Sequence, residues 1–194
     1  QLLPMMTKMG YNYQANTHGI KKVQDGGIEF NDGTSQEAEI TILFPDWEAH
    51  SFLKELPFTD DMGFVITDLY MRNPDFQNIF AVGDAASITV PKIGSLGHME
   101  AEVLANTLGK ELGIIKNDIK PMEFELLCMG DMGGIKGFYM RTNEWWGGKE
   151  SHLEMGVTPY ALKMGFKEMY YTLGGKIPHW GMAISEVVGD HTLI

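Results

Sequence analysis

One cysteine in 194 residues excludes a disulfide within the chain, so Cys128 is buried filler, a reactive thiol or half of a pair completed elsewhere. Basic residues are also few. Fifteen Lys and Arg stand against 26 Asp and Glu, a formal net charge of -11. That balance repels phosphate backbones and argues against nucleic-acid partners, while leaving room for a local amphipathic contact with a membrane surface. No apolar run reaches the roughly 18 uninterrupted residues of a membrane-spanning helix. No signal peptide is evident, and the sequence opens at Gln1 without an initiator Met, so it reads as a piece of something longer. A Gly-x-Gly-x-x-Gly turn, which would cradle a dinucleotide pyrophosphate at a helix N-terminus, does not occur. The glycines from Gly130 to Gly137 have the wrong spacing for it and suit a hairpin. Neither a nucleophile elbow nor a phosphate loop is present. The six histidines make no metal-ligand spacing with Cys or acid neighbours, so no metal site is expected.

What is present is a foldable α/β pattern. Hydrophobic residues make up 44% of the chain, enough for a packed core in one large or two small domains. The 14 methionines suit irregular apolar space. Residues 1–9 read as the end of a helix stopped by Gly10. Short strands are expected at 11–14, 19–23 and 27–30, broken by the turn sequences Asp25-Gly26-Gly27 and Asn31-Asp32-Gly33. A further strand is expected at 39–44, closed by Pro45, then a connector over 47–56 and strands at 63–67 and 79–82. Met99, Val103, Leu104, Leu108 and Leu112 keep helical spacing across 97–112, with Gly113 as cap. Residues 124–129 and 137–141 read as a hairpin around a Gly-rich turn. A last helix spans 158–173, with Thr158 as N-cap and Pro159 at the first helical position. The tail from Lys176 has no clear assignment.

The most telling run is Asn78-Ile79-Phe80-Ala81-Val82-Gly83-Asp84-Ala85. Five apolar or small residues end at an acid, as in a buried strand whose carboxyl end faces a ligand. An ionised Asp84 only accepts hydrogen bonds, so ribityl or ribose hydroxyls are its natural partners. Gly83 permits close approach to the backbone. With its lead-in Met71-Arg72-Asn73-Pro74-Asp75-Phe76-Gln77, this run resembles the second flavin-binding motif of the pyridine nucleotide-disulfide reductase-like flavoproteins. That resemblance implies FAD as cofactor, with Asp84 on its ribityl chain. It also implies that the chain is the carboxyl-terminal half of a two-dinucleotide-domain flavoprotein.

Three further segments resemble sulfide:quinone oxidoreductases within that superfamily. Val90-Pro91-Lys92-Ile93-Gly94 is similar to their Pro-Lys-Thr-Gly stretch, with Ile93 in place of the threonine. There a cation and a helix N-terminus stabilise charge on a reduced flavin, which implies cofactor roles for Lys92 and Gly94. Cys128, before the Gly130-Asp131-Met132-Gly133 turn, sits where the family carries a redox cysteine. The resemblance implies that Cys128 and a partner cysteine outside this chain take sulfide sulfur as a persulfide, with the two electrons released passing to FAD. The amphipathic stretch 161–171 resembles the family's membrane and quinone helix. Phe166 then stacks on the quinone, Lys163 makes a polar contact, and Leu127 forms the opposite wall. Trp145 and Trp146 suit either a lipid interface or a hydrophobic plug.

The resulting expectation is an α/β fold with three parts. Residues 1–46 end a second, NAD-like nucleotide-binding domain, and 47–115 end the FAD domain. Residues 116–194 form an α+β module for the redox cysteine, quinone and membrane contact. The implied activity is sulfide oxidation with quinone reduction through FAD, by a homo-oligomer peripheral to a prokaryotic inner membrane. Alternatives within the class are a type II NADH:quinone oxidoreductase and the flavin subunit of a flavocytochrome c sulfide dehydrogenase. The type II family usually carries glutamines in the helix after the flavin strand, and 97–112 has none. An alternative of another class is a non-catalytic oligomerisation or docking module, because the isolated half would lack half of the flavin site.

Overall fold

The computed structural model describes residues 2–14, 17–44, 46–88 and 91–175. Pro45, Val90 and the tail from Lys176, with His179 and His191, lie outside them. The chain forms two compact units, Gln1–Trp47 and Glu48–Ile194. Both are mixed α/β in content, and each holds one three-stranded antiparallel sheet.

In the first unit, α1 (Leu2–Lys8) stops as the sequence predicts. Gly10 takes φ +86°, its N–H donates to the Thr7 carbonyl and the Tyr11 N–H to the Met6 carbonyl. This is a Schellman closure, which needs the left-handed residue that glycine supplies. β1 (Ile20–Gln24) and β2 (Gly27–Phe30) form a hairpin. Gln24 pairs with Gly27 across Asp25-Gly26, the two-residue loop expected from Asp-Gly. β3 (Ser35–Glu37) pairs with β2.

Two strand expectations fail here. Residues 11–14 join no ladder, and Tyr11 and Tyr13 are exposed. The strand expected at 39–44 is replaced by the shorter β3 upstream of it. Ile40, Ile42 and Phe44 are 81%, 75% and 92% exposed. The apolar run is a genuine strand pattern, but a strand also needs a partner edge, and none of the described residues pairs with it.

The second unit begins with a long region, 48–88, of loops and one 3-10 turn, and here too expected strands are missing. Residues 63–67 and 79–82 contribute only isolated bridges: Val65 with Thr59 and Ala86, and Arg72 with Phe80. Side chains reinforce the scattered main-chain bonds that hold this backbone in place of a sheet. Asp60 Oδ1 accepts the N–H groups of Met62 and Phe64, at 3.0 and 2.9 Å. Asp68 Oδ1 accepts those of Tyr70 and Arg72, at 2.8 and 3.0 Å. Asn73, 1% exposed, donates to the Phe58 and Ile66 carbonyls and accepts from the Asp75 and Phe76 N–H groups. Leu53, Val65, Ala81 and Ala86 form the core beneath these loops.

α2 (Gly94–Glu111) starts one turn earlier than its apolar spacing predicts. Leu96 packs with Met71 and Met122 in a second core, against which Met99, Val103, Leu104, Phe124 and Trp146 also pack. Leu112, counted as apolar face in the sequence, is 74% exposed. It lies past the last turn, with Gly113 at φ +73° behind it.

β4 (Leu126–Asp131) and β5 (Gly137–Thr142) form the expected hairpin in unbroken register, Cys128 opposite Met140. β6 (Ser151–Gly156) was not foreseen, because Ser-His-Leu-Glu-Met-Gly lacks a β-branched residue. α3 (Val157–Thr172) is capped by Gly156, so Thr158 and Pro159 lie within its first turn rather than at its boundary. No helix among the described residues is long and apolar enough to cross a membrane.

Candidate functional site

The candidate site is built where the 3-10 turn Gly83–Ala85 meets the start of α2. Gly83 has φ +63°, a conformation that costs little only without a side chain. A Cβ on Gly97 would lie 3.3 Å from Gly83 Cα. The pair of glycines therefore lets the turn rest directly on the helix backbone. One turn further along α2, Glu100 is 2% exposed and its Oε2 accepts the Gly83 N–H. At the other end of the turn, Lys92 Nζ donates to the Ala86 carbonyl. The same ammonium lies 4.5 Å from the Phe64 ring centroid.

The electrostatics follow from this packing. Burial pushes the Lys92 ammonium below its usual range, opposed by the carboxylates of Glu100, Asp84 and Asp60. Burial pushes the Glu100 carboxyl up; the Gly83 N–H and Lys92 oppose that, and Asp84 adds to it. Asp84 itself is exposed at the turn, free to accept hydrogen bonds from a ligand.

The structure thus gathers Gly83, Asp84, Lys92 and, one helical turn before Gly97, Gly94. Glu100 is the member sequence reasoning missed. Its signal was available: tracing α2 from Gly94 puts Leu96, Glu100, Val103 and Thr107 on one face, and an acid on a core face calls for an explanation. His98 is half-buried on the first turns of the same helix.

These residues fit a dinucleotide flavin in four respects. Asp84 offers an acceptor for hydroxyls, and Lys92 offers a cation. Ser95 Oγ, at the second residue of α2, is buried without a hydrogen-bond partner. The free N–H groups of the first helical turn complete the set of donors.

The other residues to which the sequence assigns redox and quinone roles lie on the second sheet and its helix. Side chains alternate between faces along a strand. A Cβ on Gly137 would meet the Tyr160 backbone at 2.8 Å, so α3 packs on the face shared by Gly137, Tyr139 and Arg141. Leu127 and Met129, opposite Arg141 and Tyr139, belong to that face too. Cys128, Met140 and Leu153 belong to the other. Leu127 therefore shares a side with α3, which carries Lys163 and Phe166, while half-buried Cys128 points away from it. Lys163 and Phe166 are half-buried, and the Phe166 ring stacks on Tyr170 at 6.3 Å. The two tryptophans divide. Trp146 stacks on Phe124 at 5.8 Å against the core, and Trp145 is 64% exposed.

No known family pattern matches the chain. Among curated proteins, it is similar to an internal alternative NAD(P)H-ubiquinone oxidoreductase A1, mitochondrial, of Arabidopsis thaliana. The two are 30% identical over 115 residues, 54% of this chain and 22% of the relative. The match spans about a fifth of that relative's length.

Proposed function

We propose that this chain is part of a flavin-dependent oxidoreductase that passes electrons to a quinone. One observation carries the reading: Lys92 and the start of α2 converge on the turn that carries Asp84, which two glycines let pack closely on the helix. The similarity to a protein named as an NAD(P)H-ubiquinone oxidoreductase supports it independently. In this reading Asp84 binds ribityl hydroxyls, and Gly83 lets the cofactor approach the backbone. Lys92 and the first N–H groups of α2 place positive potential where the pyrimidine end would lie. A bound flavin would supply the exchange between a two-electron donor and the quinone.

The donor separates two finer readings. The relative's name favours NAD(P)H. Cys128 favours sulfide, because the chain carries a single cysteine and it lies on β4 before the Asp131 turn, as in the sulfide enzymes. On either reading Leu127, Lys163 and Phe166 form the quinone site, α3 meets the membrane surface of a prokaryotic inner membrane, and the protein assembles as a homo-oligomer. Cys128→Ser in the full-length enzyme decides between the donors. Sulfide-dependent quinone reduction is abolished on the second reading, with flavin content unchanged; on the first, NADH-dependent reduction is unchanged. If both donors keep full turnover, the sulfide reading fails. If neither donor reduces a quinone and no flavin is bound even in the unaltered enzyme, the parent proposal fails.

A further inference from the structure

We propose that Glu100 is a positioning residue that locks the Gly83–Ala85 turn and thereby makes the presentation of Asp84 to a cofactor depend on its own charge. The inference rests on the flavin reading above and deepens it. A carboxylate that is 2% exposed on a helix face shared with Leu96, Val103 and Thr107 is costly to bury. Packing alone would be better served by Leu or Met. What compensates the burial is specific. The turn is closed by the Ala86 N–H on the Gly83 carbonyl at 3.1 Å. Its first amide is held by Glu100, its last carbonyl, that of Ala85, accepts the Val65 N–H at 2.9 Å, and Lys92 holds the next carbonyl, that of Ala86. The two holders attract each other, so one pair of charges grips both ends of the turn that carries Asp84. The close Gly97 approach brings the helix within reach for that grip.

The charged groups facing this pair come from three elements. Asp84 of the turn acts on both Glu100 and Lys92. Asp60 of the preceding loop acts on Lys92, and Lys92 itself lies just before α2. Burial raises the Glu100 carboxyl above its solvent range. Acidification through that raised range neutralises it, which weakens a charge-assisted bond to the Gly83 N–H and releases Lys92. Global stability moves the other way. The folded state takes up the Glu100 proton before the unfolded state does, so this group's share of stability rises as pH falls. Local loosening of one amide against global tightening is a signature that a merely structural Glu100 would not give.

The test uses amide exchange by NMR on the full chain, corrected for intrinsic rates. In the wild type, Gly83 protection falls from neutral to acid pH. In Glu100→Gln the amide oxygen still accepts the N–H, so protection persists but no longer varies with pH. In Glu100→Leu protection drops by about tenfold at every pH, the loss of one such bond. FAD titrated to high concentration then shifts the Gly83, Asp84 and Ser95 amides, with an affinity that follows the same pH profile in the wild type and not in Glu100→Gln. Equal, pH-independent Gly83 protection in all three proteins overturns the lock. The expected protection pattern leaves the lock standing even where the full-length enzyme binds no FAD, an outcome that overturns the flavin reading instead.

Discussion

Asn73 is the residue whose removal tests most directly how the site is held. It makes four hydrogen bonds: Nδ2 to the Ile66 and Phe58 carbonyls at 2.8 and 3.3 Å, and Oδ1 from the Phe76 and Asp75 N–H groups at 2.8 and 3.0 Å. A net ~0.5–1.5 kcal/mol per bond would give a loss of several kcal/mol on truncation. The total must be reduced, because Asp75 is exposed and Phe76 is 37% exposed, so water recovers part of their bonding. The 3.3 Å bond to Phe58 is also long. Asn73→Ala is therefore expected to cost about 2–4 kcal/mol, read as the urea midpoint of the second unit by circular dichroism. Asn73→Asp sharpens the argument. Its oxygens still accept both N–H groups, but it faces the Phe58 and Ile66 carbonyls without a donor. That environment raises the folded-state pKa above the unfolded value, so the variant's deficit is full at neutral pH and shrinks as pH falls through the raised pKa. A loss under about 1 kcal/mol for Asn73→Ala, or a deficit in Asn73→Asp that does not change with pH, would refute the claim that this amide organises the loops.

Gly137→Ala should destabilise by about 1–3 kcal/mol, more than Gly130→Ala. The new Cβ at 137 meets only backbone, the Gly130 carbonyl and Tyr160 N and Cα at 2.8–2.9 Å, whereas at 130 it meets the Phe138 ring, which can rotate away. Parallel thermal melts giving the reverse order would show that α3 does not bear on β5 as described. Phe166→Ala in the full-length enzyme should raise the quinone KM several-fold with little effect on the donor KM; steady-state kinetics giving equal effects on both would remove Phe166 from the quinone site.

Much of the local structure was legible because it is written in short-range chemistry. Gly10, Asp25-Gly26 and the β4–β5 hairpin follow from φ > 0 requirements and from pairing between neighbours in sequence. What was misread depended on partners that a sequence pattern does not identify. Residues 39–44 carry an apolar strand pattern, yet no edge among the described residues accepts them. Residues 79–82 read as a buried strand, yet Ala81 reaches only the Met71 carbonyl, at 3.2 Å. The lead-in to Asp84 was recognisable as a motif, and the structure gives its physical reason: Asn73 and Pro74 fold the backbone back so that the Asn73 amide bonds four separate main-chain groups. Glu100 was overlooked because helical spacing was counted only over apolar residues.

The loops around Asp84 show a division of labour among the acids. The chain's net charge of -11 looks like a solvated surface, yet Asp60 and Asp68 each accept two backbone N–H groups. Glu100 accepts a further one from the core. These acids and Asn73 replace the ladder that the sequence pattern anticipated. A sheet would fix Asp84 through many equivalent bonds. Here a few bonds fix it: the Val65 N–H on the Ala85 carbonyl at 2.9 Å, the Ser87 N–H on the Val65 carbonyl at 2.8 Å, and the side chains of Glu100 and Lys92. That makes the position of Asp84 sensitive to the charge on one neighbour, Glu100, in a way that a strand end would not be.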